Sequence, residues 1–181
     1  ARAIGNQAWT IAKEATENGA FNAALLGSPG TGKTSLALAI AGKLKQDKSW
    51  SWMFVSTTEL KSLVEAQFDA YDVKSKLANV KRAMTEVNVL ILDDFGTEGG
   101  LVSRINEPGY KGAHANLQQL MYEVANARYS KQDKMTIITT NNTNQELERI
   151  YDPKIVSRLV TKKKAHRIAF NGMEDVRAME G

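Results

Sequence analysis

The sequence predicts an α/β fold built on a doubly wound, five-stranded parallel sheet, and three observations point there. Short apolar runs alternate with segments of helical period along the chain, the pattern of successive strand–helix–strand units. One run, Val87–Leu92, is nearly continuous in Val, Ile and Leu, as expected of a strand covered on both faces. No repeat, low-complexity tract or linker interrupts the 181 residues, so the alternation belongs to one domain, 1–181. That length buries a full core without disulfides or metals.

The first strand is Phe21–Leu26, followed by a glycine-rich turn and a helix from Lys33 to about Lys45. Trp52–Ser56 is a short strand running into Ser56-Thr57-Thr58-Glu59, a capping-box signature that opens a helix. Leu60, Leu63, Val64, Phe68 and Tyr71 recur on one face of that helix, with Lys61, Glu65 and Asp69 opposite. The next helix turns Val73, Leu77, Val80 and Met84 inward and Lys74, Lys76, Lys81 and Arg82 outward. Val87–Leu92 is the third strand. The stretch from Phe95 to Ala113 reads as a long loop, the kind that is functional or mobile in a compact domain. Leu117, Leu120, Met121 and Val124 mark another helix, and Met135–Thr140 a fourth strand. Asp152-Pro153 supplies an N-cap and a first-turn proline for a short helix through Leu159. Ile168 and Phe170 alternate in a fifth strand, and a short helical tail closes the chain.

Composition narrows the function classes. Hydrophobic residues at 43% and charged residues at 24% exclude disorder and fibrous architecture. The longest apolar run, Leu36 to Ala41, is far short of the roughly 20 residues of a spanning helix, so no membrane partner is expected. Absence of cysteine excludes disulfides and thiolate metal sites and fits a cytoplasmic protein. His114 and His166 are too far apart in sequence to suggest a histidine-built metal centre. A net charge of +4 is compatible with nucleic acid without being diagnostic, but its placement is uneven. Between Asp152 and Glu174 every ionised side chain is positive: Lys154, Arg158, Lys162, Lys163, Lys164 and Arg167.

The strongest chemical signal is Gly27-Ser28-Pro29-Gly30-Thr31-Gly32-Lys33-Thr34, a full match to G-x-x-x-x-G-K-[ST] between a strand and a helix. Glycines let successive N–H groups turn toward a β-phosphate, and the helix that follows adds its positive end. Lys33 reaches the β and γ oxygens, the Thr34 hydroxyl ligates Mg²⁺, and Ser35 completes the nucleotide-binding stretch. Downstream, Val89-Leu90-Ile91-Leu92 delivers Asp93 and Asp94 to the C-terminal edge of the sheet. Asp93 is placed to bind Mg²⁺ through water, and Asp94 to act as a general base or to orient water. A solvated turn acid or helix cap is the alternative for Asp94.

Together these segments resemble the AAA+ superfamily, and within it the DnaC/DnaI-type bacterial helicase loaders. The resemblance runs from about Phe21 to Arg177. It rests on Gly27–Thr34, Phe54-Val55-Ser56 with Glu59-Leu60, Val89–Gly96, Thr139-Thr140-Asn141, Val156-Ser157-Arg158-Leu159, and Asn171-Gly172 with Arg177. The Asp93-Asp94 pair, where most AAA+ proteins carry Asp-Glu, is similar to this branch in particular. IstB-type transposition ATPases, which would act on duplex DNA, share most of these features. The resemblance implies ATP and Mg²⁺ as ligands and makes Asn141 the sensor 1 amide near the γ-phosphate. From the residues alone Asn141 is a strand-end cap, a role Asn142 or Asn144 fills as well. It makes Arg158 a finger reaching a neighbouring subunit's nucleotide; otherwise Arg158 is a helix-end arginine complementing the dipole. Arg177 matches sensor 2. Lys162, Lys163, Lys164 and Arg167 either line a DNA path or solubilise a turn.

The implied partners are single-stranded DNA, a replicative DNA helicase and further copies of the chain itself. Slow ATP hydrolysis is expected, since Asp94 is one methylene shorter than glutamate. Loaders carry an N-terminal helicase-binding region, whereas only 26 residues precede Gly27, so the expectation is that this region is absent here. A metabolite kinase would leave Asn141 and Arg158 without a role, and a vestigial phosphate loop would not keep Lys33, Thr34 and Asp93 together.

Overall fold

The structure, a computed structural model, describes residues 2–67, 71–99 and 112–170. Its elements in chain order are α1 (Arg2–Asn18), β1 (Ala23–Leu26), α2 (Lys33–Lys48), β2 (Trp52–Ser56), α3 (Thr57–Ala66), α4 (Tyr71–Glu86), β3 (Val89–Asp93), α5 (Ala115–Arg128), β4 (Met135–Thr140), α6 (Asn144–Ile150), α7 (Pro153–Leu159) and β5 (Arg167–Ala169). The five strands form one parallel sheet in the order β2-β3-β4-β1-β5. The fold class expected from the sequence is therefore the one observed.

Strand order and crossover handedness together decide which helix lies on which face. The β1-to-β2 connection travels one way across the sheet, while the connections from β2 to β3, β3 to β4 and β4 to β5 travel the other. Right-handed crossovers then send α2 to one face and α3 through α7 to the opposite face. The side chains obey. Val89 and Ile91 of β3 pack with Ile40, Ala41 and Leu44 of α2 and with Ile11 and Ala15 of α1. Leu90 and Leu92 pack with Leu60, Met84, Leu117, Leu147 and Ile155. Successive strand residues point to opposite faces, so a strand covered on both sides must be apolar throughout.

Several boundaries differ from the sequence reading for physical reasons. Strand β1 starts at Ala23 rather than Phe21. The Phe21 ring stacks on His166 with centroids 3.6 Å apart, and Asn22 uses its side chain to accept the Thr136 N–H at 3.0 Å. Strand β3 starts at Val89 rather than Val87, because the Asn88 side chain bonds Ser51 and the Asp133 carbonyl. Helix α2 runs on to Lys48. Tyr71 opens α4 instead of continuing the apolar face of α3, and Phe68 lies outside the described residues. Helices α1 and α6 were not foreseen. In α1, Ala8, Ile11, Ala12 and Ala15 are buried at helical spacing against α2. In α6, Thr143 caps the helix in a full capping box with Glu146, so none of Asn141, Asn142 and Asn144 is the cap.

The end of the sheet opposite the glycine-rich turn is held by Arg128. Its guanidinium donates to the carbonyl oxygens of Met84, Val87, Asn88 and Met135 and to the Thr136 hydroxyl, at 2.6–3.2 Å. Burial lowers its pKa to about 10, still well above neutrality, so the staple remains a cation.

Candidate active site

Strand β4 lies between β3 and β1, and the chain leaves β1 toward one face and β4 toward the other. At such a switch point the loops diverge and leave a crevice beyond the strand ends, where α/β sheets bind ligands. Here that crevice is a cleft of about 540 Å³ lined by Pro29 through Ser35, Asp94 and Asn141.

The Gly27–Thr34 loop forms its floor. Gly32 is the N-cap of α2 at φ +91°, where a side chain is strained by the backbone although space beside it is open. Gly27, at φ +153°, faces Phe170 so closely that a Cβ would come within 2.7 Å of the Phe170 Cβ. Thr31 closes the turn by donating to the Ser28 carbonyl at 2.9 Å. Lys33 is 5% exposed, and its ammonium donates to the carbonyls of Gly27 (2.8 Å) and Ser28 (2.7 Å) and to Asn141 Oδ1 (2.7 Å).

Asp93, at the end of β3, accepts two hydroxyls on Oδ1, from Thr34 at 2.8 Å and Thr139 at 2.7 Å. The same Thr139 oxygen accepts the Asp94 N–H at 2.9 Å. Asp94 sits at φ +54°, a left-handed conformation that Asp tolerates better than most residues, and is exposed along the cleft. Its carbonyl accepts from the Thr97 hydroxyl at 2.8 Å and lies 3.0 Å from the Thr57 hydroxyl oxygen. Asn141 faces the cleft, whereas Asn142 is buried, its Nδ2 3.5 Å from the Gly96 carbonyl.

Behind this edge lies a group that sequence reasoning missed. Glu98 is 3% exposed and accepts from Thr57 Oγ1 at 3.0 Å, the Gly96 N–H at 2.9 Å and the Tyr151 hydroxyl. Burial pushes its carboxyl up from the ordinary carboxylate range, and burial beside Glu98 pushes the Tyr151 phenol well above its own. Tyr151 stacks on Phe95 at 4.8 Å, joining the turn after β3 to the end of α6. Nothing in local spacing singles out Glu98, because its partners come from three separate segments.

The other candidates lie elsewhere. Arg158, on α7, is not in the cleft; its backbone carbonyl accepts from Asn22 at 2.7 Å, on the edge where β1 begins. There it lines a second cleft, of about 520 Å³, with Lys131, Lys134 and Lys162. Arg167 is tied to Asn144 Oδ1 (3.3 Å) and the Thr161 carbonyl (2.9 Å), so it does not sit in a row with its neighbours. Lys163 lies 3.2 Å and His166 3.0 Å from Glu14 Oε1, joining α1 to the turn before β5; His166 leads in holding the Glu14 carboxyl below its usual range. Lys162 and Lys164 are exposed. On α3 and α4, Lys61 is 3.8 Å from Glu65 and Lys81 pairs with Glu123, while Lys74, Lys76 and Arg82 are exposed. Arg177, Asn171-Gly172, Arg104 and Lys111 lie outside the described residues.

The donor set fits a magnesium nucleotide. A hydroxyl and a carboxylate are hard oxygen ligands, and among the described residues no cluster of three or more His, Cys, Asp or Glu exists to cage a metal alone. That suits Mg²⁺, which takes one or two protein ligands and fills the rest with phosphates and water. No described helix is long and apolar enough to cross a membrane.

A parallel sheet of this order, with a lysine-bearing glycine turn at its switch point, is the fold of a P-loop NTPase. The match to known families is specific as well. The chain belongs to the ATPase family associated with various cellular activities (AAA), which residues 23–164 match. It is 34% identical over 93 residues to the uncharacterized protein YdaV of Escherichia coli K12, covering 51% of this chain and 36% of that one. In fold it is similar to AMPPCP-bound DnaA from Aquifex aeolicus (TM-score 0.67, 19% identity, 96% of this chain and 48% of that one). It is also similar in fold to the DnaC helicase loader (TM-score 0.65, 21% identity, 91% of this chain and 88% of that one). The chain spans about a third of the length of YdaV and about half that of DnaA.

Proposed function

We propose that the chain is the ATP-hydrolysing core of a replicative helicase loader, which lines up with copies of itself on ATP, grips single-stranded DNA and helps deposit a hexameric helicase. The observation that carries this reading is the convergence of Lys33, Thr34, Asp94 and Asn141, from the ends of three adjacent strands, on one cleft, with Asp93 bonded to Thr34 beside it. Its replication role is supported by the similarity in fold to the DnaC helicase loader and to DnaA.

Each residue has a physical task. A phosphate oxygen carrying charge takes the Lys33 ammonium in preference to the carbonyl and amide oxygens of Gly27, Ser28 and Asn141. Backbone N–H groups of Gly30 through Ser35 then meet the phosphate chain at the start of α2. Thr34 and Asp93 would hold Mg²⁺, which neutralises charge on the phosphates when bound. Asp94 and Asn141, which line the cleft with Lys33, orient the attacking water. Arg158 stabilises transition-state charge on the nucleotide of the next protomer, and Arg177 contacts the nucleotide in its own. The short reach of Asp94 makes hydrolysis slow, so that nucleotide acts as a switch.

The test is size in solution without nucleotide, with ADP and with ATP, each with and without a single-stranded oligonucleotide. Larger species with ATP, enhanced by the oligonucleotide and absent for Lys33→Ala, are expected. Assembly that ignores nucleotide, or persists unchanged in Lys33→Ala, overturns the reading. DNA affinity should fall with salt by about 0.7 log units per phosphate contact, and a flat response removes the DNA part.

A further inference from the structure

Two arginines line the second cleft, and they are treated in opposite ways. Arg128 spends its guanidinium on backbone carbonyls. Arg158 is in no ion pair among the described residues, and its Nη1 is buried without a hydrogen-bond partner. Instead its guanidinium carbon lies 5.1 Å from the centroid of the Tyr122 ring and 5.8 Å from that of Tyr129. Those tyrosines are seven residues apart on α5 and its C-cap, two helical turns, so they present rings along one face. Both rings are exposed on the outer side, 37% and 57%. Among the described residues no acidic side chain lines the cleft, while Lys131, Lys134 and Lys162 do.

A π face holds a cation without a counter-charge, and the Tyr122 hydroxyl that Arg158 also approaches is itself a neutral acceptor. A carboxylate would hold the cation more tightly but would neutralise the charge and occupy the N–H groups. An arginine that must wait, oriented, for an oxygen anion from outside the chain is better kept by rings. Tyr122 feels the cation directly: the approach of Arg158 to its hydroxyl, and then the charge, hold the phenol below its ordinary range.

We propose that Tyr122 and Tyr129 are positioning residues for Arg158, a two-ring clamp that keeps its guanidinium oriented and unneutralised for a phosphate oxygen presented by a second copy of this chain. The proposal rests on the reading of Arg158 as a finger acting across the seam between protomers. It adds the element that fixes the finger before the partner arrives.

The test is ATP turnover of the chain at concentrations where it self-associates. Four variants are compared with the parent: Arg158→Ala; Tyr122→Leu with Tyr129→Leu; Tyr122→Phe with Tyr129→Phe; and the Leu pair combined with Arg158→Ala. Loss of both rings should lower kcat roughly three- to tenfold, the range of one or two cation–π contacts, and leave KM for ATP unchanged. The Phe pair keeps both rings and should stay within about twofold of the parent. Arg158→Ala added to the Leu pair should cost nothing beyond Arg158→Ala alone. Equimolar Lys33→Ala chain, which carries clamp and finger but an impaired nucleotide site, should restore turnover to the Leu pair. A Leu pair at full kcat beside a slow Arg158→Ala overturns the clamp and leaves the finger standing. So does a defect that adds to that of Arg158→Ala or is not restored by mixing. Arg158→Ala at full kcat overturns both. If the Leu pair does not fold, Tyr122→Leu alone decides in the same way, since it removes the nearer ring.

Discussion

Glu98 shows two physical effects opposed on one carboxyl. Three donors favour its charged form, whereas burial favours the neutral one, and burial dominates. The folded protein therefore keeps the proton to a higher pH than the unfolded chain does. Its contribution to stability is complete below the ordinary carboxylate range and is lost as pH rises toward the raised folded value. Glu98→Gln cannot titrate, so its melting temperature relative to the parent should improve as pH is raised from about 5 to about 8. A relative melting temperature that worsens over that range would mean the three donors win and the carboxylate is charged. Thr139 supports the same edge: its hydroxyl donates to Asp93 and accepts from the Asp94 N–H. Thr139→Val keeps the shape, removes the acceptor of the Asp94 N–H and leaves Asp93 Oδ1 with the Thr34 hydroxyl. It should cost about 1–3 kcal/mol in urea unfolding and slow ATP turnover, because Asp94 loses one of the bonds that hold its left-handed backbone. Glu98 was not legible in the sequence, and Thr139 entered only as part of the Thr139-Thr140-Asn141 stretch, with no role of its own. Gly27–Thr34 is a local pattern, whereas Thr139 and Glu98 acquire meaning only when strands distant in sequence become neighbours.

Among the elements, α6 owes its existence to its ends. Seven residues are too few to be helical alone. The Thr143–Glu146 box closes the N-terminus, and Leu147 and Ile150 bury the inner face. Thr143→Ala should cost about 1 kcal/mol of stability by chemical denaturation. It should also loosen the Asn141–Asn142 corner just before it, which a rise in KM for ATP would report. A short helix hidden behind asparagines is hard to read, since Asn142 and Asn144 look as much like caps as Thr143 does. The boundary between α3 and α4 escaped for a different reason. Leu60, Val64, Phe68 and Tyr71 keep a helical period with neither Gly nor Pro between them, so periodicity carries the first of the two helices through Tyr71, which in fact opens the second. Helix α1 was overlooked because alanines fill its buried stripe and give a weak apolar signal, yet Ile11 is 1% exposed. Ile11→Ala should cost about 2–5 kcal/mol, the range for truncating a buried aliphatic side chain in a core that cannot fully collapse. A cost near zero would mean α1 packs loosely on α2.

Over the whole molecule, direction of travel across the sheet fixes where chemistry occurs. Lys33, Asp94 and Asn141 gather where β1, β3 and β4 end, and Arg158 sits at the edge where β1 begins. The strands separate these two groups, and the sheet between them is packed on both faces. A chain built this way does not bring its own Arg158 to its own phosphate site. Two copies do so when the edge of one faces the cleft of the next, a head-to-tail contact that can repeat. On the proposed reading the whole-chain consequence is complementation. Lys33→Ala would retain the finger and lose the phosphate site; Arg158→Ala would retain the site and lose the finger. Each alone should turn over ATP poorly. Mixed, they create seams with an intact site on one side and an intact arginine on the other, and turnover should rise above the sum of the two, more steeply as total protein increases. Turnover equal to that sum at every concentration would mean that one chain performs the reaction by itself, and Arg158 would then be an arginine of the fold alone.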